Sequence, residues 1–312
     1  MKKQLSLLLL TSTTFSVNAA QPLFVSAQSP IHSNVLSLQL REAQAMQPGQ
    51  YEIKTSYTKA SIWAETGDYF LDYYQNNIDL ALTYQATPIL KTEVGYKRIT
   101  AQDNGLDELT KNFHDFFGIG QNGRDEVDDD RFYISIPSHV VHYTDFEGET
   151  LTNAFFVYSE VAILQTAYQA VSVGGTLYYN HVDSGPFARS SFEQGLQVNY
   201  SFHQYAHHFY TSTGLVHRNG DVSDEVLNST AAFLSLGYEY QFSPQHSVLL
   251  ESHNYGGWAN ENEDFSETSN EVVVGYRYTY AQAALEVAMH ENARNMDNST
   301  DIAFSLGLRI VM

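Results

Sequence analysis

The sequence predicts an all-β chain: a 12-stranded antiparallel transmembrane β-barrel with a short helix in one long extracellular loop. Three observations predict it. Side chains alternate in polarity with a period of two, aromatics gather just before short turns, and short connections alternate with long ones. The alternation is plainest at the C-terminus, where Ile302, Phe304, Leu306, Leu308, Ile310 and Met312 share one face. Asp301, Ala303, Ser305, Gly307, Arg309 and Val311 share the other. A period of two over such a run is a strand with one apolar face.

The pattern recurs in Ile78/Leu80/Leu82/Tyr84, Phe192/Leu196/Val198/Tyr200/Phe202, Leu234/Leu236/Tyr238/Tyr240/Phe242 and Val272/Val274/Tyr276/Tyr278/Tyr280. A soluble barrel turns its apolar face inward, and the period alone does not exclude one. Strand length and aromatic placement favour a membrane barrel. A tilted transmembrane strand needs roughly 9–11 residues, and these runs are about that long or slightly longer. Tyr84, Tyr200, Phe202, Tyr240, Phe242, Tyr278 and Tyr280 all precede a short turn, as one aromatic girdle at one membrane interface would.

Strands are expected near 49–62, 70–84, 89–98, 152–165, 170–182, 190–202, 207–217, 229–242, 246–255, 268–280, 282–290 and 301–312. Short turns near 85–88, 166–169, 203–206, 243–245 and 280–282 alternate strictly with longer polar connections. That alternation suits an even-numbered barrel with both ends in the periplasm. Residues 131–143 also read as extended, but one more spanning strand would make the total odd. They are assigned to a hairpin inside the long excursion 99–151. If the facing assignment holds, Arg at outward Leu236 or Val274 harms folding into lipid more than Arg at inward Ser235 or Gly275.

The N-terminus sets the compartment. Lys2 and Lys3 precede the apolar stretch from Leu5, and Val17-Asn18-Ala19 has the small-residue spacing of a signal-peptidase site. Residues 1–19 are therefore expected to be a signal peptide read by the general secretory pathway, with the outer membrane of a Gram-negative bacterium as destination. Residues 20–48, with Pro22, Pro30 and Pro48, read as a periplasmic lead-in or a plug segment, and 49–312 as the barrel. There is no cysteine, so no disulfide holds the fold. The net charge is −20, and losing Lys2 and Lys3 takes it to −22 (−20 − 2), which argues against nucleic acid as a partner. The expected partners are outer-membrane lipids, lipopolysaccharide and the barrel assembly machinery.

One stretch breaks the rhythm. Leu106, Leu109, Phe113, Phe116 and Phe117 have helical apolar spacing, and Gly118 and Gly120 follow as stops. A short helix over 105–118 is expected, docked at the outer mouth by Phe113, Phe116 and Phe117. His114 and Arg124 are the polar candidates beside it. The run FHDFFGIGQNGRD, together with YYNHVDSGPFARSSFEQGLQVNYSF at 178–202, resembles a family of Gram-negative outer-membrane proteins defined by a domain of unknown function. The resemblance covers most of 21–312. It implies an outer-membrane barrel and supplies no activity and no catalytic residues.

The chemistry is sparse. No G-x-S-x-G or H-E-x-x-H motif appears. His208 and Ser212 share a strand face, but four residues apart along a strand they cannot form a direct nucleophile–base pair. His142, His181, His217, His253 and His290 fall near outer strand ends, where a site acting on lipid could be assembled. No catalytic residue and no metal ligand is assigned. The acidic runs DEVDDD (125–130) and ENED (261–264) could hold Ca²⁺ or Mg²⁺ loosely, but lack calcium-loop spacing. Lys91, Glu93, Glu193, Glu239, Glu251, Arg277, Glu286 and Arg309 fall on the inward faces, where pairing among them would narrow a channel. Two readings follow. One is a narrow pore or structural barrel with its mouth covered by the 99–151 excursion; the other is an outer-membrane enzyme acting on phospholipid or lipid A.

Overall fold

The computed structural model describes residues 20–106, 111, 127, 131–137, 141–220, 228–258, 263–295, 298 and 300–312. The strands in chain order are β1 (Tyr51–Glu65), β2 (Phe70–Gln85), β3 (Leu90–Ala101), β4 (Tyr133–Ile136) and β5 (Val141–Thr144). They continue with β6 (Thr150–Gln165), β7 (Gln169–Val182), β8 (Arg189–Gln204), β9 (His207–Gly220) and β10 (Thr230–Ser243). The last are β11 (His246–Tyr255), β12 (Ser269–Tyr280), β13 (Ala283–Arg294) and β14 (Ile302–Val311). Each wall strand pairs antiparallel with the next, and β1 pairs with both β2 and β14. The wall is thus a closed 12-stranded barrel, because β4 and β5 stand outside the circuit. They form the expected hairpin, whose β4 adds to Phe70, Leu71 and Asp72 of β2 above the point where β3 ends. Closure leaves no open edge, which a bilayer requires.

The outward face is apolar. Leu196, Leu215, Leu234, Leu236, Val274, Leu285 and Leu306 are all exposed on it. In water so large an apolar band would be an aggregation surface, so its solvent is lipid. At the turn end, here taken as periplasmic, the girdle is built of ring pairs. Tyr51 stacks on Tyr84 with centroids 4.6 Å apart, and Phe209 lies 4.8 Å from Tyr238. His207 and His246 join it through Tyr238 and Tyr276, a signal that a search for hydrophobic aromatics alone passes over.

An arginine at outward Leu236 should cost roughly 2–4 kcal/mol of folding into lipid if the position sits near the midplane. Refolding yield in vesicles, with Leu236→Ala as the size control, checks this; equal yields would reverse the assignment of faces. Ser235 and Gly275 do not face water. Ser235 is fully buried against His253 (Nδ1 to Oγ 3.1 Å), and Gly275 is covered by Leu23, so neither would hold an arginine.

Of the expected helix over 105–118, Phe113, His114, Phe116 and Phe117 lie outside the described residues, as does Arg124. The described parts of the excursion pack in two directions. Phe132 meets Tyr74 on the outward side and Phe146, which in turn touches inward-facing Tyr73. Tyr69, Tyr73, Phe146, Phe187 and Phe265 then form an aromatic cluster across the loop end, with Ile31 beneath it. Most of DEVDDD also lies outside the described residues, and so does the start of ENED; a single helical turn, Glu263–Ser266, follows the latter.

Candidate functional site

Residues 20–46 occupy the inside of the barrel. The described segment begins near the turn end, where Gln21 meets Glu239 and Arg309. It rises past Glu251 at Leu23 and reaches Glu271 at Gln28 and Ser29. A 3-10 turn, His32–Asn34, reverses it at the loop end, where the His32 ring bonds the Gly256 carbonyl at 3.1 Å and stacks on Tyr255. The second arm descends past Glu193 at Leu36 and Ser201 at Ala43, and joins β1 beside Gln85.

Two features hold it there. The first is apolar and needs small wall residues. A methyl group added at Gly275 would come within 2.6 Å of Leu23 Cδ1, and one at Gly195 or Gly237 equally close to Leu38 or Leu40. Each of these three inward glycines is thus a notch that receives one leucine. The second is polar. A segment without regular structure cannot satisfy its own backbone, and buried N–H and C=O groups must find partners. Here wall side chains supply them. Carboxylates accept the backbone N–H groups of Gln21, Leu23, Phe24, Gln28, Ser29 and Leu36. Cations donate to carbonyls: Arg277 to Gln21 (2.6 Å), Arg309 to Pro22 (2.8 Å), Lys91 to Glu42 (2.8 Å) and Arg189 to Asn34 (2.6 Å).

Every one of the eight inward charges picked out by the strand pattern bonds this segment. Glu93 does so through Arg41, which it pairs at 3.0 Å while also taking Lys54. Glu193 does so through the Leu36 N–H at 2.7 Å. Wall charges also pair with one another. Arg277 reaches Glu239 at 3.0 Å and Glu286 at 2.8 Å, and Arg309 reaches Glu52 at 3.0 Å and Glu286 at 3.3 Å. In a low-dielectric interior such pairs need further hydrogen bonds to their remaining donors and acceptors. The segment's backbone supplies them to Arg277, Arg309 and Glu239 Oε2, while Glu239 Oε1 is buried without one among the described residues.

Several residues of the site were not picked out from the sequence: Arg41, Glu52, Lys54, Glu160, Arg189, Arg218 and Glu271. Glu52 and Lys54 had a signal, since they alternate with Tyr51, Ile53 and Tyr57. Leu36, Leu38 and Leu40 alternate with Ser37, Gln39 and Arg41 in the same way, marking an extended arm with one apolar side.

The histidines do not converge. His181 and His217 point outward, toward Ser190 and Thr230, while His253 and His290 point inward. The inward pair makes arrays resembling a hydrolase triad: Ser305–His290–Glu271 (2.8 and 4.0 Å) and Ser235–His253–Glu251 (3.1 and 3.0 Å). Each glutamate, however, also takes a backbone N–H of the N-terminal segment, and Ser305 is bonded to Thr58. Both arrays are buried, and in the second the His253 ring, 3.0 Å from Glu251, orients that anchoring carboxylate. Small cavities remain beside the segment. One cavity of about 40 Å³ lies between the two arms near the turn end, bordered by Arg41, Lys54, Lys91 and Glu93. Another of about 30 Å³ lies higher, bordered by Asp79 and Lys97. Each has room for about one water molecule.

A closed, even-stranded barrel with an apolar outer band, an aromatic girdle and a charged interior defines a transmembrane β-barrel of the outer-membrane class. Solved structures agree on the fold. An outer-membrane channel from Pseudomonas putida F1 aligns at TM-score 0.56 with 12% identity, covering 88% of this chain and 100% of that one. The NanC porin aligns at TM-score 0.50 with 10% identity, covering 83% and 98%. At such identities the likeness is one of fold. No curated protein matches in sequence. The chain belongs to the family described as "Protein of unknown function (DUF3187)", which matches residues 3–311.

Proposed function

We propose that this protein is an outer-membrane channel held shut by its own N-terminal segment, exported with residues 1–19 as its signal, and that it conducts when the segment leaves the lumen. One observation carries the reading. Among the described residues, no backbone–backbone hydrogen bond joins residues 20–46 to the wall. The segment is held by side chains and leucine notches alone, so it can be displaced without breaking a single rung of the β-ladder. The two cavities share Gln39 and Arg41 on their borders, and so trace a polar course along the descending arm. The excursion's aromatic cluster closes the outer mouth and is a second barrier in the same path.

The glycine notches offer the test. Valine at Gly195 or Gly275 would fill the space that Leu38 or Leu23 occupies, loosening the plug and leaving the strands intact. Gly175, where an added methyl group would meet nothing nearer than 3.6 Å, is the control. In planar bilayers, Gly195→Val and Gly275→Val should open far more often than wild type, and Gly175→Val should match wild type. Folded notch variants that stay as silent as wild type would remove the plug from the closed state.

A further inference from the structure

Below the rim, the outward face of β1–β3 carries positive charge where the outward face of the rest of the described wall carries none. Arg41, Lys54, Lys91, Lys97, Arg277 and Arg309 face inward and are buried or nearly so. Lys59 and Arg98 take the opposite parity on their strands and point outward. Among the described residues they are the two lysine or arginine side chains on the outer wall below the rim. Arg294 stands higher, at the tip of β13.

Their height is informative. Lys59 is eight residues above Tyr51, and Arg98 eight above Leu90, each at the turn end of its strand. At roughly 3.3 Å per residue and a tilt near 40°, both stand about 20 Å above that girdle. The apolar band is about 25 Å tall, so these cations lie just under its upper edge, where headgroups begin. They are also close together. Lys59 pairs in register with Asn76 and Arg98 with Ile78, so both flank the same part of β2, about 10 Å apart.

Neither charge is neutralised by the protein. The Arg98 side chain has no hydrogen bond or ion pair among the described residues, and Lys59 Nζ gives one of its three N–H groups to the Asn104 carbonyl at 3.1 Å. A third cation stands above them. Arg131 is about one-third exposed, lies over Phe70 and Tyr133, and is 3.8 Å from Asp72, an outward position of β2. An unpaired guanidinium that faces lipid is costly unless a lipid anion meets it. Amides accompany the pair at the same level: Asn153, half-buried beside Arg98 and bonded to Tyr96, and Gln102, exposed and bonded to buried Asn76. Phosphate-binding cations beside amide groups that can meet sugar hydroxyls fit a phosphorylated glycolipid better than a glycerophospholipid.

We propose that Lys59, Arg98 and Arg131 bind the phosphorylated sugar headgroup of one lipopolysaccharide molecule in the outer leaflet, on the outer face of β1–β3. The site is independent of whether the lumen opens. It fixes one sector of the barrel as the lipopolysaccharide contact and places the described base of the excursion, Gln102–Leu106, against that lipid.

The test uses full-length protein refolded into phosphatidylcholine vesicles carrying either lipopolysaccharide or phosphatidylglycerol at equal phosphate content. Retained lipopolysaccharide is then counted by native mass spectrometry after detergent extraction. Wild type should keep lipopolysaccharide in preference to phosphatidylglycerol. Lys59→Ala/Arg98→Ala should retain it on the order of tenfold less, the loss expected for removing charge-assisted contacts to phosphate. Arg98→Lys should keep most of it. The double variant removes charge from a lipid-facing surface, so its folding, read from heat-dependent gel mobility, should be unimpaired. Retention by the double variant equal to wild type overturns the site, and so does equal retention of phosphatidylglycerol. Lipopolysaccharide stripped of its lipid A phosphates should bind wild type no better than the double variant; tight binding of that form would also overturn it.

Discussion

Protein lacking residues 20–47 should refold as a barrel and conduct in discrete steps, where the full chain stays near the bilayer baseline. The wall keeps every strand pairing, because β1 begins only at Tyr51 and closes against β14 without help from the segment. What is lost is lumen filling. Leu23, Val25, Leu36, Leu38 and Leu40 come away, each having buried a side chain that contributes about 1.5–3 kcal/mol. The carboxylates and cations left behind exchange backbone partners for water, which enters the open lumen and solvates them. The variant should therefore be less stable than the full chain but still folded. Strand circular dichroism and heat-dependent gel mobility report the fold, and single-channel recording reports the path. A folded deletion variant that stays silent would mean that the aromatic cluster at the loop end closes the channel alone, and the plug would cease to be the gate.

Arg277→Met should be the most damaging single change in the lumen. Arg277 is fully buried, pairs Glu239 and Glu286, and donates to the Gln21 carbonyl. Methionine fills much of its volume but leaves Glu239 with no cation at hydrogen-bonding distance, only the Tyr210 hydroxyl and the Gln21 N–H. Breaking a buried pair from one side costs about 3–5 kcal/mol, because the remaining charge stays desolvated. Denaturant unfolding from lipid should show that loss. Adding Glu239→Gln and Glu286→Gln should recover much of it, since neutral amides can remain hydrogen-bonded without a counter-charge. If Arg277→Met unfolds at the wild-type denaturant concentration, the charge network contributes little to holding barrel and segment together.

The strands were readable because their signal is local. Ile302 through Met312, or Leu234 through Phe242, announce a face within one segment, and lipid imposes that pattern on every strand that crosses it. Boundaries agree within a few residues. The largest shift is at the end of β13, predicted at 290 and found at Arg294, where the chain has left the band and alternation no longer marks pairing. The hairpin after residue 131 was readable by counting, since an odd strand number does not fit the alternation of turns and loops.

The inward charges were also legible as a set, because a carboxylate or guanidinium opposite a leucine face must point into the lumen. Their partner was not. Leu23 reaches Glu251 across 228 residues of sequence, and Leu36 reaches Glu193 across 157. Those contacts use backbone amides, which every residue carries, so no residue pattern in 20–48 identifies them. The same limit applies to Gly195, Gly237 and Gly275, which in the sequence are weak strand residues and in the fold are notches for leucines. By itself the sequence determined the barrel, its strand count and which side chains face lipid, because each depends on the solvent of a single strand. Tertiary structure alone decided that the lumen is filled by the chain's own N-terminal segment. That outcome depends on matching backbone groups and glycine gaps brought together only once the wall has closed.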